Sequence, residues 1–247
     1  MKKLQNKVAF ITGGSRGMGA SIASRLSSEG AVVVFTHSGK NPAKATAVLN
    51  EIQANGSRGA TMVANNEQPE AILEALENTM ERFGTLDILI NNAGIYIQKP
   101  VEEYTLEEFD QIINVNVKAV FVASQFASRH MKSGGRIITI GSNMADRVLS
   151  AEGSLYAMSK SALIGLTKGM ARDLGPRAIT VNLIQPGPVN TDMNPEHSEH
   201  APVLKSFTAL KRYGAVEEVA GLVAYLCSDE SGFITGTSLT MDGGFNI

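Results

Sequence analysis

The chain has 247 residues, 43% of them hydrophobic, with 22 basic and 24 acidic side chains and a formal charge of −2. Both signs are scattered through both halves, which excludes the basic footprint of a nucleic-acid binder or a membrane-surface protein and points to a small partner. The length suits one domain, residues 1–247, around one core; one cysteine, no signal-like leader and no run of eighteen apolar residues make a cytoplasmic protein without disulfides the expectation.

Short β-branched runs alternate with segments of helical period, the pattern of βαβ units on a buried parallel sheet. Strands are expected at 8–12, 31–36, 59–63, 86–91, 136–140, 180–184 and 238–241, and helices at 19–28, 42–55, 69–83, 106–131, 154–174 and 216–228. The first strand runs into Thr12-Gly13-Gly14-Ser15-Arg16-Gly17-Met18-Gly19 and at once into a helix. Glycines there let the backbone close on a pyrophosphate, whose charge sits over the free N–H groups and positive dipole of the helix start. Gly13, Ser15, Arg16, Gly17, Met18 and Gly19 are therefore expected to cradle a dinucleotide.

The second strand selects the dinucleotide. An Asp or Glu near its end would bond the ribose 2′-hydroxyl of NAD, yet the chain holds no acidic residue from Ala31 to Lys44 and places His37, Ser38 and Lys40 there instead. With Arg16 facing the same pocket, this set suits a 2′-phosphate, so NADP(H) is the expected cofactor. No metal site is expected.

Further along, Ser142 follows the fifth strand, and Tyr156 and Lys160 stand four apart on the next helix, on one face. A phenol titrates ordinarily near about 10. A close ammonium that lowered it by roughly three units, about 4 kcal/mol of differential interaction, would make an acid/base tuned to neutral pH. That helix is apolar on every side, from Leu155 and Met158 to Leu166 and Met170, so a second copy of the chain is expected to cover its outer face. After it, a stretch near 187–211 lacks period and reads as a lid.

Taken together these residues resemble the short-chain dehydrogenase/reductases, in their single-domain branch. The likeness runs through Thr12-Gly13-x-x-x-Gly17-x-Gly19, Asn91-Asn92-Ala93-Gly94, Asn116, Ser142, Tyr156-x-x-x-Lys160, Asn182, Pro186-Gly187, Thr191 and Asp242-Gly243-Gly244. It implies a Rossmann-like, doubly wound α/β sheet of seven parallel strands with helices on both faces, and a homotetramer. It also implies roles. Tyr156 would protonate a substrate carbonyl that Ser142 holds, Lys160 would bind the nicotinamide ribose, and Asn116 would tie a water to the lysine. Asn91, Ala93 and Gly94 would floor the adenine-side ribose, while Pro186, Gly187, Val189 and Thr191 would line the nicotinamide end. The family's usual Asp after the third strand is missing, and Asn65 or Asn66 would accept the adenine hydrogen bond instead.

Within the family the chain is most similar to 3-oxoacyl-[acyl-carrier-protein] reductases, with Lys132 and Arg177 as basic positions for an acidic carrier. The polar lid also suits small ketones or aldehydes, sugars or quinones. A different class of function stays open, a nucleotide-binding regulator or scaffold with little turnover.

Overall fold

The computed structural model describes residues 2–149 and 151–247. Seven strands, β1 (Val8–Ile11), β2 (Val32–His37), β3 (Gly59–Val63), β4 (Ile88–Asn91), β5 (Arg136–Ile140), β6 (Thr180–Pro186) and β7 (Ser238–Met241), form one sheet in the order β3-β2-β1-β4-β5-β6-β7. Every pairing is parallel. The register carries one row of side chains across six strands, Ala60–Val34–Phe10–Leu89–Ile137–Val181. Strand side chains alternate between faces. That row packs on α3 (Pro69–Phe83), α5 (Ala119–His130) and the end of α6 (Ser154–Leu174). The residues between, among them Ile11, Phe35, Ile90 and Ile140, pack on α1 (Gly17–Ser28), α2 (Pro42–Ala54) and α8 (Val216–Cys227). Helices thus cover both faces of a sheet whose five inner strands are buried throughout, as the continuous β-branched runs require.

Strand order reverses at β1, whose neighbours are β2 and β4. The chain leaves toward one edge, returns, and continues toward the other, so a crevice opens at the carboxyl ends of these strands.

Two expectations need correction. The single helix 106–131 is instead α4 (Leu106–Ile113), a π-helical turn (Asn114–Lys118) and α5. The extra residue in that turn puts Asn116 under the β4 loop, where its carboxamide oxygen accepts from the Ile95 N–H at 2.9 Å and its NH2 donates to the Ile95 carbonyl at 3.0 Å. The stretch read as a lid contains a short helix, α7 (Ala201–Phe207), with Pro202 in its first turn. Seven residues are too few for a periodic signal.

Candidate active site

The crevice between β1 and β4 is a cleft of about 340 Å³ lined by Gly13, Ser15 to Gly19, His37, Ser38, Asn65, Ala93, Gly94 and Thr191. The turn is built for an anion. Gly13 and Gly17 adopt φ of +67° and +54°, a region that other residues avoid, and a methyl on Gly13 would sit 3.1 Å from Ala93. On Gly19 a methyl would meet the Gly13 carbonyl oxygen at 2.3 Å. No side chain caps α1, and no acid stands in its first turn, which leaves its N–H groups free for a phosphate.

His37 is buried, and burial lowers its pKa from the ordinary 6.5. Its Nδ1 accepts from the Gly39 N–H at 3.2 Å, so the neutral ring keeps Nε2–H to donate. Positive charge in the cleft comes from Arg16, Lys40 and Lys44, against one carboxylate, Glu67. Lys44 escaped the sequence reading; one turn into α2 from the acid-free strand end, it reaches the same cleft. The Asn65 oxygen accepts from the Glu67 N–H at 3.2 Å and keeps one lone pair for a ligand. Glycine turn, open helix start and cations together fit a dinucleotide with an added phosphate.

Four expected contacts stand apart from the lining of the cleft. Asn91 is buried and donates to Ser124 and Thr139 at 3.0 and 3.4 Å, tying β4 to α5 and β5. Pro186 and Val189 are buried at and just beyond the end of β6. Gly187 is pressed on Asp242, where a methyl would lie 2.6 Å from Cβ, so glycine serves packing there. Asn182 likewise fastens β6, donating to the Ile234 carbonyl at 2.8 Å.

The acid/base group begins where the cleft ends. A methyl on Gly94 would lie 3.3 Å from Lys160 Nζ and 3.4 Å from Asn116 Oδ1. Lys160 is buried and donates to the Ile140 carbonyl at the end of β5 at 3.1 Å. Its ammonium lies 5.7 Å from the Tyr156 ring centroid, and burial pushes it down to about 8. Ser142, the next residue but one along, accepts from the Met144 N–H at 3.2 Å, which orients its hydroxyl and frees its hydrogen to donate. Asn116 donates to Ser159 at 3.0 Å, and Ser159 to the Tyr156 carbonyl at 2.7 Å, so the π-helical turn holds the first turns of α6.

The phenol is not tuned to neutral pH as expected. Burial pushes Tyr156 up to about 12, and only a hydrogen bond with Ser142 pulls it down. Lys160 has little leverage because its ammonium turns to the Ile140 carbonyl. Tyr156 is therefore a protonated phenol throughout the physiological range, a donor beside a mostly charged lysine.

Lys132 and Arg177 do not flank this group. Arg177 donates to the Ser128 and Met131 carbonyls at the end of α5, beside the amino end of β5, whereas Ser142 follows its carboxyl end. One aromatic neighbour went unread: the Tyr96 ring meets the Tyr156 ring edge to face, centroids 4.8 Å apart.

A family model described as enoyl-(acyl carrier protein) reductase matches residues 13–246. The chain is 39% identical to a 3-oxoacyl-[acyl-carrier-protein] reductase of Salmonella typhimurium, with 97% of each chain covered. It belongs to the short-chain dehydrogenase/reductase family. A short-chain dehydrogenase/reductase of Serratia marcescens superposes with a TM-score of 0.97 at 52% identity, covering 99% of this chain and 100% of the other. A Burkholderia cenocepacia short-chain dehydrogenase, solved with NADP, gives 0.97 at 49% identity over 99% and 100%. Among curated relatives, an Escherichia coli protein described as a cyclic-di-GMP-binding biofilm dispersal mediator is 42% identical over 99% of both chains. The parallel sheet with helices on both faces is this family's fold, and the chain is a short-chain oxidoreductase whose cleft fits NADP(H).

Proposed function

We propose that the protein is an NADPH-dependent carbonyl reductase in which Tyr156 is the general acid. The observation that carries the reading is the junction at Gly94, where the cation-lined cleft meets Lys160 and Asn116. Bound NADPH supplies the hydride. The chain's own groups handle the proton: Tyr156 donates it to the carbonyl oxygen, Ser142 donates a hydrogen bond to that oxygen, and Lys160, beside Gly94, binds the nicotinamide ribose. A phenol at about 12 holds its proton until a developing alkoxide, a stronger base, demands it. Solved relatives with NADP or NADPH bound support the cofactor. The substrate of this reading is a small ketone or aldehyde or a 3-oxoacyl thioester. Its test is NADPH oxidation across diketones, quinones, keto-sugars and 3-oxoacyl thioesters, with no consumption by any of them as the refuting result.

The chain is read as a single domain at work in the cytoplasm, with 187–211 as its lid and a homotetramer as its assembly. Among the described residues no helix is long and apolar enough to cross a membrane. α6 leaves Met158, Ala162, Gly165 and Gly169 exposed in one stripe, and both glycines have open space before them. A partner helix fits such a flat face closely. Sedimentation giving a monomer near 26.2 kDa at micromolar concentration would refute the assembly.

The second reading, a nucleotide-binding regulator, draws on the relative described as cyclic-di-GMP-binding. A second groove, about 730 Å³, lies among α1, the lid and α8, but its charged walls are Arg25, Glu51, Asp192 and Glu217, and Arg25 is already paired with Glu29 at 3.0 Å. That balance repels a dianion. Binding of cyclic-di-GMP that survives saturation with NADPH would favour this reading.

A further inference from the structure

Large apolar side chains crowd the surface beside the catalytic phenol. Tyr96, from the loop after β4, lies edge to face with Tyr156 at 4.8 Å and 83°. Met144 and Val148 come from the turn after Ser142 and converge on the same spot: a methyl on Gly153 would lie 2.7 Å from Met144 Cε, 3.8 Å from Val148 Cγ1 and 3.9 Å from Tyr96 Oη. Gly153 directly precedes α6, so three side chains from two loops gather within one residue's width of the helix that carries Tyr156.

These groups are not core. Tyr96 is 37% exposed and Val148 48% exposed, and apolar side chains gathered at one exposed spot, unlike scattered ones, mark a binding surface. Of the turn's two charged residues, Asp146 is exposed and the Arg147 guanidinium faces elsewhere, donating to the Phe245 and Ile247 carbonyls at 3.3 and 3.1 Å. Phe245 in turn meets Phe207 of α7, which is 46% exposed, with ring centroids 5.6 Å apart. The wall therefore continues through the C-terminus to the lid.

We propose that this site selects a bulky apolar carbonyl compound, an aryl ketone or aryl diketone, whose ring packs against Tyr96, Met144 and Val148. The proposal rests on the reductase reading and names its substrate class. An aromatic ring suits the edges and face of Tyr96, and Met144, flexible and polarizable, adapts to rings of different size. A thioester on an acidic carrier would instead need free cations beside this entrance, and Arg147 is engaged.

The test compares NADPH oxidation with a phenyl methyl diketone, the dimethyl diketone and a 3-oxoacyl thioester. The phenyl compound should exceed the other two by about tenfold or more in kcat/KM. Tyr96→Ala and Met144→Ala should each cut the phenyl-over-methyl ratio several-fold, chiefly through KM, while the Kd for NADPH, which reports a folded protein, stays as in wild type. Equal kcat/KM for the two diketones, a thioester preferred over both, or a ratio that neither variant moves would overturn the substrate class and leave the reductase standing. Protein that binds NADPH but oxidises it with none of the three overturns the reductase reading and this class with it.

Discussion

Asp192, in the stretch 187–211, and Lys44 of α2 meet at 2.5 Å, an ion pair between segments 148 residues apart in the chain. Thr191 and Met193, on either side of Asp192, line the cofactor cleft, as Lys44 does. The bond to Lys44, its charge, and then the charge of Arg16 hold the Asp192 carboxyl below the usual carboxylate range. This stretch thus already places an anion in the field of the cations proposed for the 2′-phosphate. Asp192→Asn should free Lys44 and tighten NADPH binding by roughly two- to fivefold, the scale of an exposed pair, with NADH binding unchanged. Fluorescence titration of both cofactors checks this, and equal loosening of both would refute it.

Cofactor choice should reverse at the end of β2. Charge-assisted bonds worth about 1.5–3 kcal/mol each favour NADPH over NADH by tenfold or more in kcat/KM. His37→Asp replaces a neutral donor, held by Gly39, with an anion that repels a phosphate and accepts from a 2′-hydroxyl. Arg16→Ala should deepen the reversal. Steady-state kinetics with each cofactor decide it, and an unchanged ratio in His37→Asp would contradict the pocket described.

Burial of Lys160 should appear as pH-dependent stability. Its pKa falls from the ordinary 10.5 to about 8 on folding. Below pH 8 the lysine is charged in both states and the full penalty of about 3 kcal/mol applies. Between about 8 and 10.5 the unfolded chain holds a proton that the folded chain has released, so stability rises with pH, and above 10.5 the penalty is gone. Lys160→Met should therefore stabilise the cofactor-free protein at pH 7, with an advantage that shrinks as pH climbs through that window. Urea titrations at pH 7, 9 and 10.5 would show it, and a pH-independent difference would count against a charged, buried lysine.

Much of this site could be read from residue order, because the phosphate turn, His37, Ser142 and the Tyr156/Lys160 pair are local patterns. What escaped depends on where side chains turn. Asn116 interrupts a helix whose apolar period gave no warning, since its carboxamide bonds Ile95, twenty-one positions away. Asn91 sits beside the cleft in sequence but turns into the core toward Ser124. Lys44 reaches the site from a segment with no motif of its own, and Tyr96 stands two residues beyond Asn91-Asn92-Ala93-Gly94, outside any pattern that assigns it a role. Nor could the phenol's pKa be foreseen, because i, i+4 spacing fixes a shared face but not the direction of an ammonium, and this one turns to Ile140.

Gly14 should prove structural. A methyl there would lie 2.5 Å from Cβ of Phe35, which is fully buried in β2, so Gly14→Ala should cost about 1–3 kcal/mol by overpacking. At roughly 2–4 °C per kcal/mol for a chain of this size, a thermal melt resolves it. Unchanged melting would mean that the turn yields more easily than its contacts suggest.

Whether Tyr156 gives the proton that completes carbonyl reduction is decided by single-turnover NADPH oxidation in wild type and Tyr156→Phe with one accepted carbonyl substrate. The substitution should lower the rate by about 10²- to 10⁴-fold, the range for losing a general acid, with the Kd for NADPH nearly unchanged. A Tyr156→Phe protein that oxidises NADPH within a few-fold of the wild-type rate would contradict it.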